Sequence, residues 1–203
     1  MFELSDTRRN IFHENLIRFA EDDCSHLSFP FFTPTEITNM IEASAHLSFR
    51  KATAVVGNQV HQDMEVCFPA PRRGVFDQCA KLLEAGVNSW SKKTSYLPSD
   101  LHLNDFAVQR YGQSSKGIGI HKDGLRYKYI VFIITLSGES RLFHCDNRLG
   151  TTRHKIDDKP GQLVLIKAPE FGDFPAENRL LHGVDNITTG RLSIGFRHEV
   201  ASS

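Results

Sequence analysis

From Pro98 onward the sequence carries seven short runs of strand character, separated by turn residues, with no helical pattern between them. We place them at Leu103–Tyr111, Gly117–His121, Tyr129–Ser137, Arg141–His144, Gln162–Lys167, Leu180–Val184 and Arg191–Glu199. Lys159-Pro160-Gly161 marks a turn before the fifth. Parallel neighbours need long crossovers, usually helical, whereas antiparallel neighbours need only turns. So many strands in about 100 residues are therefore expected to pair antiparallel and close as a double-sheet barrel of the jelly-roll type.

The first half reads differently. Thr33 can cap a helix, Pro34 fits its first position and Glu36 can reach back to complete a capping box. Ile37, Met40, Ile41 and Ala45 follow at helical spacing. A second helix is expected from about Gly74 to Trp90, with Phe76, Cys79, Leu83, Val87 and Trp90 along one stripe that faces the core. Between them Leu47 to Val56 reads as a strand and Gly57 to Arg73 as an irregular, proline-containing stretch. The expected class is α+β: a double-stranded β-helix core with flanking N-terminal helices. The 203 residues are expected to form one domain, 1–98 as helical and mixed support on the substrate side and 99–203 as the jelly-roll core.

The charge balance narrows the partners. Lys and Arg together number 24, as do Asp and Glu, so the formal charge is zero. The strong basic excess of a duplex-binding domain is absent. The segment MFELSDTRRNIFHENL lacks the apolar core of a secretory signal. The longest apolar run, Tyr129 to Leu136, is far short of the roughly 18 residues a membrane span requires. The four cysteines, Cys24, Cys67, Cys79 and Cys145, are widely spaced with no C-x-x-C pair. Reduced thiols in a cytoplasmic protein without membrane contact are the expectation.

His121-Lys122-Asp123 lies at the end of an expected strand. Residues two apart in extended chain point the same way, so His121 and Asp123 can offer an imidazole and a carboxylate to one ion. His182, inside another short strand, is the best-placed third ligand. Two histidines and one carboxylate on one face of an octahedron leave the opposite positions open, as in non-haem iron(II) oxygenases. A second H-x-D, His61-Gln62-Asp63, is read as a solvated turn bordering the pocket, because prolines and a helix follow it. His121-Lys122-Asp123 is followed by strands able to carry a distal ligand.

The last strand, Arg191-Leu192-Ser193-Ile194-Gly195-Phe196-Arg197, alternates so that Arg191, Ser193, Gly195 and Arg197 share a face. Two inward guanidinium groups are costly without anionic partners, and a dicarboxylate ligand would satisfy both. Gly117 and Gly119, two glycines within one strand, read as positions of close backbone packing.

HKD, then a strand-rich segment, then PGQLVLI, LLHGV and RLSIGFR, resembles the Fe(II)/2-oxoglutarate dioxygenase superfamily over residues 101 to 199. Within it the chain is most similar to the AlkB-type branch, whose last strand carries two arginines six positions apart, as Arg191 and Arg197 are here. The resemblance implies that His121, Asp123 and His182 hold Fe(II). It also implies that Arg191 grips the distal carboxylate of 2-oxoglutarate, with Ser193 as part of an Arg-x-Ser pattern. Arg197 would lie near the chelating carboxylate. Tyr111 matches the tyrosine of the family's Asn-x-Tyr pair, and Gln109 departs from its asparagine.

By this resemblance O2 is the oxidant, succinate and CO2 are released, and ascorbate serves as an auxiliary reductant. Hydroxylation, desaturation or demethylation of a small organic substrate is the leading expectation, given the neutral charge. The alternatives are demethylation of alkylated nucleic acid, with Arg72, Arg73, Arg126, Tyr127, Lys128 and Tyr129 as its rim, and hydroxylation of a protein side chain. A cupin-like metal-binding sensor is the non-enzyme alternative.

Overall fold

The computed structural model describes residues 2–56 and 60–200. In chain order it contains α1 (Asp6–Glu21), β1 (His26–Pro30), α2 (Pro34–Ser44), β2 (Arg50–Lys51), β3 (Val55–Val56), β4 (Val60–Asp63), β5 (Glu65–Cys67) and α3 (Val75–Ser91). The second half adds β6 (Asp105–Tyr111), β7 (Gly117–His121), β8 (Tyr127–Gly138), β9 (Arg141–Cys145) and β10 (Arg153–Lys155). The last strands are β11 (Gln162–Lys167), β12 (Leu181–Asp185) and β13 (Arg191–Glu199).

The strands form two antiparallel sheets. The larger has the order β1-β11-β8-β13-β6-β5-β2 and the smaller β10-β9-β12-β7-β4-β3. Together they make the expected double-stranded β-helix, with the helices outside it. Thr33 and Glu36 cap α2 as the sequence predicts: the Glu36 amide donates to Thr33 Oγ1 at 3.3 Å and the Thr33 amide to Glu36 Oε2 at 3.0 Å. Gly74 stands just before α3 with a φ of 56°, in the left-handed region open to glycine.

The central strands carry apolar runs, Ile130–Ile134 and Leu163–Ile166, because both of their faces are covered there. On β8 and β11 the residues Phe132, Ile134, Leu163 and Leu165 join Phe12, Leu16, Met40 and Leu83 of the helices in one core. Their alternates Val131, Val164 and Ile166 join Tyr111, Leu142 and Val184 between the sheets. The molecule thus has two cores, one under the helices and one inside the barrel.

The stretch from 47 to 73 departs from expectation. In place of one strand over Leu47–Val56 there are two two-residue strands, β2 and β3, at the far edges of the two sheets. The segment read as irregular contains β4 and β5, which join the small and large sheets respectively. Residues 57–59 lie outside the described residues. Here Asp63 is a structural residue, because its carboxylate accepts the Lys116 amide at 2.7 Å and fastens the turn before β7.

Of the two glycines of β7, Gly117 sits where the chain crowds, while a side chain at Gly119 would meet only ordinary contacts. Gly117 has a φ of 81°, and a side chain there would run into the Val184 carbonyl oxygen of β12. Gly117→Ala combines left-handed strain with backbone overlap, and a loss on the order of 3 kcal/mol or more is expected in urea unfolding. A loss below about 1 kcal/mol would show that the β7–β12 contact is not tight.

Candidate functional site

β7 and β12 are neighbours, and their register sets His121 directly opposite His182. Directly opposed residues project from the same face of a sheet. The two imidazole centroids are 4.3 Å apart and His182 Nε2 lies 3.8 Å from Asp123 Oδ2. One donor atom from each of His121, Asp123 and His182 falls within 4.8 Å of the others, the only such group of three among the described residues.

Each imidazole is oriented by its own strand. His121 Nδ1 lies 2.9 Å from the Gly119 carbonyl oxygen and His182 Nδ1 lies 3.1 Å from that of Leu180. A carbonyl only accepts, so Nδ1 carries the proton and each Nε2 is left with its lone pair. Burial first, and then neighbouring His182, hold the His121 imidazole down to about 4, against the pull of Asp123. For Asp123, burial acts to raise the carboxyl. The imidazoles of His182 and His121 and the guanidinium groups of Arg197 and Arg179 outweigh it, so the carboxyl stays below its usual range. Near neutral pH His121 and Asp123 are therefore unprotonated donors, as metal binding requires.

These groups line a cavity of about 530 Å³ that also takes in Gln109, Tyr111, Tyr127, Arg191 and Arg197. The final strand corrects the sequence-based argument about its arginines, because each has a protein carboxylate. Arg191 Nη1 bonds Asp158 and donates to Ser140 Oγ at 2.8 Å. Arg197 donates to Asp105 through Nε and Nη2, both at 2.6 Å, and lies over the Tyr127 ring. Thr135 supports Asp158 with a hydroxyl bond of 2.9 Å.

Alternation along β13 holds: Leu192, Ile194 and Phe196 pack on the helix-side core, while Arg191, Gly195 and Arg197 line the cavity. Its register against β8 shifts between Leu192 and Ser193, where β8 carries the extra residue, Leu136. Ser193 is buried but does not line the cavity, whereas Ile194 and Gly195 do. Tyr111 is fully buried, and burial pushes its hydroxyl up to about 12 against the opposing effect of Arg191.

Two polar atoms on this wall have no partner although they are buried: Asp123 Oδ2 and Arg191 Nε. A buried acceptor and a buried donor left open cost roughly 1–3 kcal/mol each, more when charged. One calls for a cation and the other for an anion. The donor set of two imidazole nitrogens and a carboxylate suits Fe(II), and the open guanidinium edge suits a carboxylate, so the residues fit both implied groups.

Sequence reasoning missed Asp158, Asp105 and Arg179. Arg179 donates to the Asp123 backbone carbonyl and to that of Ala176. All three act on residues far away in the sequence, for which no local motif exists.

His61 is exposed on β4 and belongs to no metal-type cluster. His61→Ala is expected to retain the parental metal content by elemental analysis. Loss of the ion would reverse the ranking of the two H-x-D motifs.

No family model matches the chain, and no curated protein matches it. Solved structures do resemble it. A Trichoplax adhaerens prolyl hydroxylase, in complex with a hypoxia inducible factor peptide fragment, is 13% identical with a TM-score of 0.64 over 95% of this chain and 90% of that one. OsALKBH1 is 14% identical, TM-score 0.61, over 87% of this chain and 99% of its own. HygX from Streptomyces hygroscopicus, with nickel and 2-oxoglutarate bound, is 14% identical, TM-score 0.56, over 97% and 87%. At such identities the likeness establishes the shared fold. Among the described residues no helix is long and apolar enough to cross a membrane.

Proposed function

We propose that the chain is an Fe(II)- and 2-oxoglutarate-dependent oxygenase with His121, Asp123 and His182 as the metal ligands. One observation carries this reading: a buried oxygen of Asp123 and a buried guanidinium nitrogen of Arg191 have no hydrogen-bond partner, and both residues line the same cavity. A cation at the first and a diacid reaching to the second satisfy both at once. That proteins of this fold include one with a divalent metal and 2-oxoglutarate bound supports the assignment.

The chain's residues then divide the work. His121 and His182 present Nε2 because their Nδ1 protons are engaged, and Arg179 steadies the Asp123 backbone. Asp158 and Ser140 hold one arm of Arg191, leaving its Nε–H for the distal carboxylate. Arg197, fixed by Asp105, keeps positive charge beside the chelating end, and Tyr111 with Gln109 packs the wall between. Bound iron with 2-oxoglutarate would supply the oxidising power, the diacid leaving as succinate and CO2.

A small organic substrate is the reading we favour. Of the four cations proposed for a nucleic-acid rim, Arg72, Arg126 and Lys128 are paired with Glu84, Glu199 and Glu170 respectively. Cations already neutralised in this way make a poor phosphate track.

The test is substrate-independent. The chain with Fe(II), O2 and ascorbate is expected to convert 2-oxoglutarate slowly to succinate, followed by mass spectrometry. Bound iron with no succinate over hours would favour the metal-binding sensor instead.

A further inference from the structure

The two sheets leave two open seams. The cavity described above is walled by residues of the edge strands β2 and β3. At the other seam β1, the edge of the large sheet, meets β9 and β10 at the edge of the small one. Histidines gather there. The register sets His144 opposite His182 on one side and opposite His154 on the other. A row of four imidazoles, His121, His182, His144 and His154, therefore crosses the small sheet on one face.

A fifth, His26 of β1, comes down on this row from the other sheet. His26 and His144 have centroids 4.5 Å apart at 46°, and His144 and His154 are 5.0 Å apart at 25°. The corresponding values for His121 and His182 are 4.3 Å and 48°. The His26–His144 pair thus repeats the geometry of the histidine pair in the candidate metal site, with its two rings drawn from different sheets. Burial, then His144 and His182, hold His26 down to about 4, which leaves it an unprotonated donor. The imidazoles of His26, His144 and His154 make no hydrogen bond among the described residues, unlike those of His121 and His182. Beside His26 and His144 lies a separate cavity of about 480 Å³, whose walls include Cys24 and Asp146.

We propose that His26, His144 and His154 form a second metal site, for a borderline divalent cation such as Zn²⁺, that staples the edge of one sheet to the edge of the other. Neutral imidazoles suit this ion, and four-coordination would be completed by water. Their donor atoms are not already gathered as those of the first site are. His154 is exposed on an edge strand and can reach the ion by changing rotamer. An ion held between β1 and β9 would resist opening of the barrel at the seam opposite the cavity. The inference does not depend on the oxygenase reading.

Metal-stripped protein titrated with Zn²⁺ and counted by elemental analysis decides it. The parent is expected to bind two ions, Asp123→Ala one, His144→Ala one, and the double variant none. In Asp123→Ala, Zn²⁺ at 100-fold excess over its Kd should raise the Tm by roughly 5–10 °C. His154→Ala, an exposed change that leaves the fold intact, should weaken the second ion at least tenfold. No Zn²⁺ on Asp123→Ala, an ion retained by the double variant, or parental affinity in His154→Ala would each overturn the proposal. Failure of the first site instead would leave one ion on both the parent and Asp123→Ala.

Discussion

Arg191→Ala is expected to lose co-substrate binding and fold stability together, for two separable reasons. The guanidinium is almost fully buried and is bonded to the equally buried Asp158. Removing one partner of such a pair leaves an uncompensated charge at a cost of about 3–5 kcal/mol. The same truncation removes the unpartnered Nε–H of a residue that lines the cavity, and a similar energy there is a factor of several hundred or more in 2-oxoglutarate affinity. Arg191→Ala combined with Asp158→Ala should recover much of the stability and none of the binding. Urea unfolding and 2-oxoglutarate titration of both variants separate the effects. Recovery of binding in the double variant would mean that Arg191 serves only to neutralise Asp158.

Arg197→Ala should differ in kind, disturbing coupling and rate more than affinity. Equal, small losses of affinity from both arginines would remove the basis for assigning the co-substrate.

His182→Ala is expected to reduce iron content and succinate formation below detection while the chain stays folded. The side chain lies on the cavity wall between His121 and His144 in the strand register, so its loss opens space already continuous with the cavity. The stability change should stay within about 1–2 kcal/mol by circular dichroism melts. Parental 2-oxoglutarate consumption by this variant would show that the metal ligands lie elsewhere.

The sequence was most readable where a strand is covered on both faces or a motif is local. Gln162–Lys167 and Gly117–His121 have the bounds their patterns predict, the first marked by an unbroken apolar run after a turn and the second by alternating isoleucines. His121 and Asp123 were legible because two-residue spacing on an extended chain is a local property. What failed was non-local. β1 is short and its apolar residues are interrupted by polar ones, while β2 and β3 are two-residue edge pairings that only the finished sheets create. The carboxylates opposite Arg191 and Arg197 come from residues 33 and 92 positions away. Their meeting depends on registers, one of them shifted by a bulge, that no window of sequence contains.

The division of the apolar interior into a layer beneath the helices and another inside the barrel bears on how this scaffold can change. Large aromatic side chains such as Phe12, Phe19, Phe132 and Phe196 lie in the helix-side layer, away from the cavity. Val131, Leu142, Ile118 and Val184 belong to the inner layer and also wall the cavity. Selection for a new substrate can therefore vary the inner set while the outer set keeps a reserve of folding energy, which absorbs the stability that mutations reshaping the pocket cost.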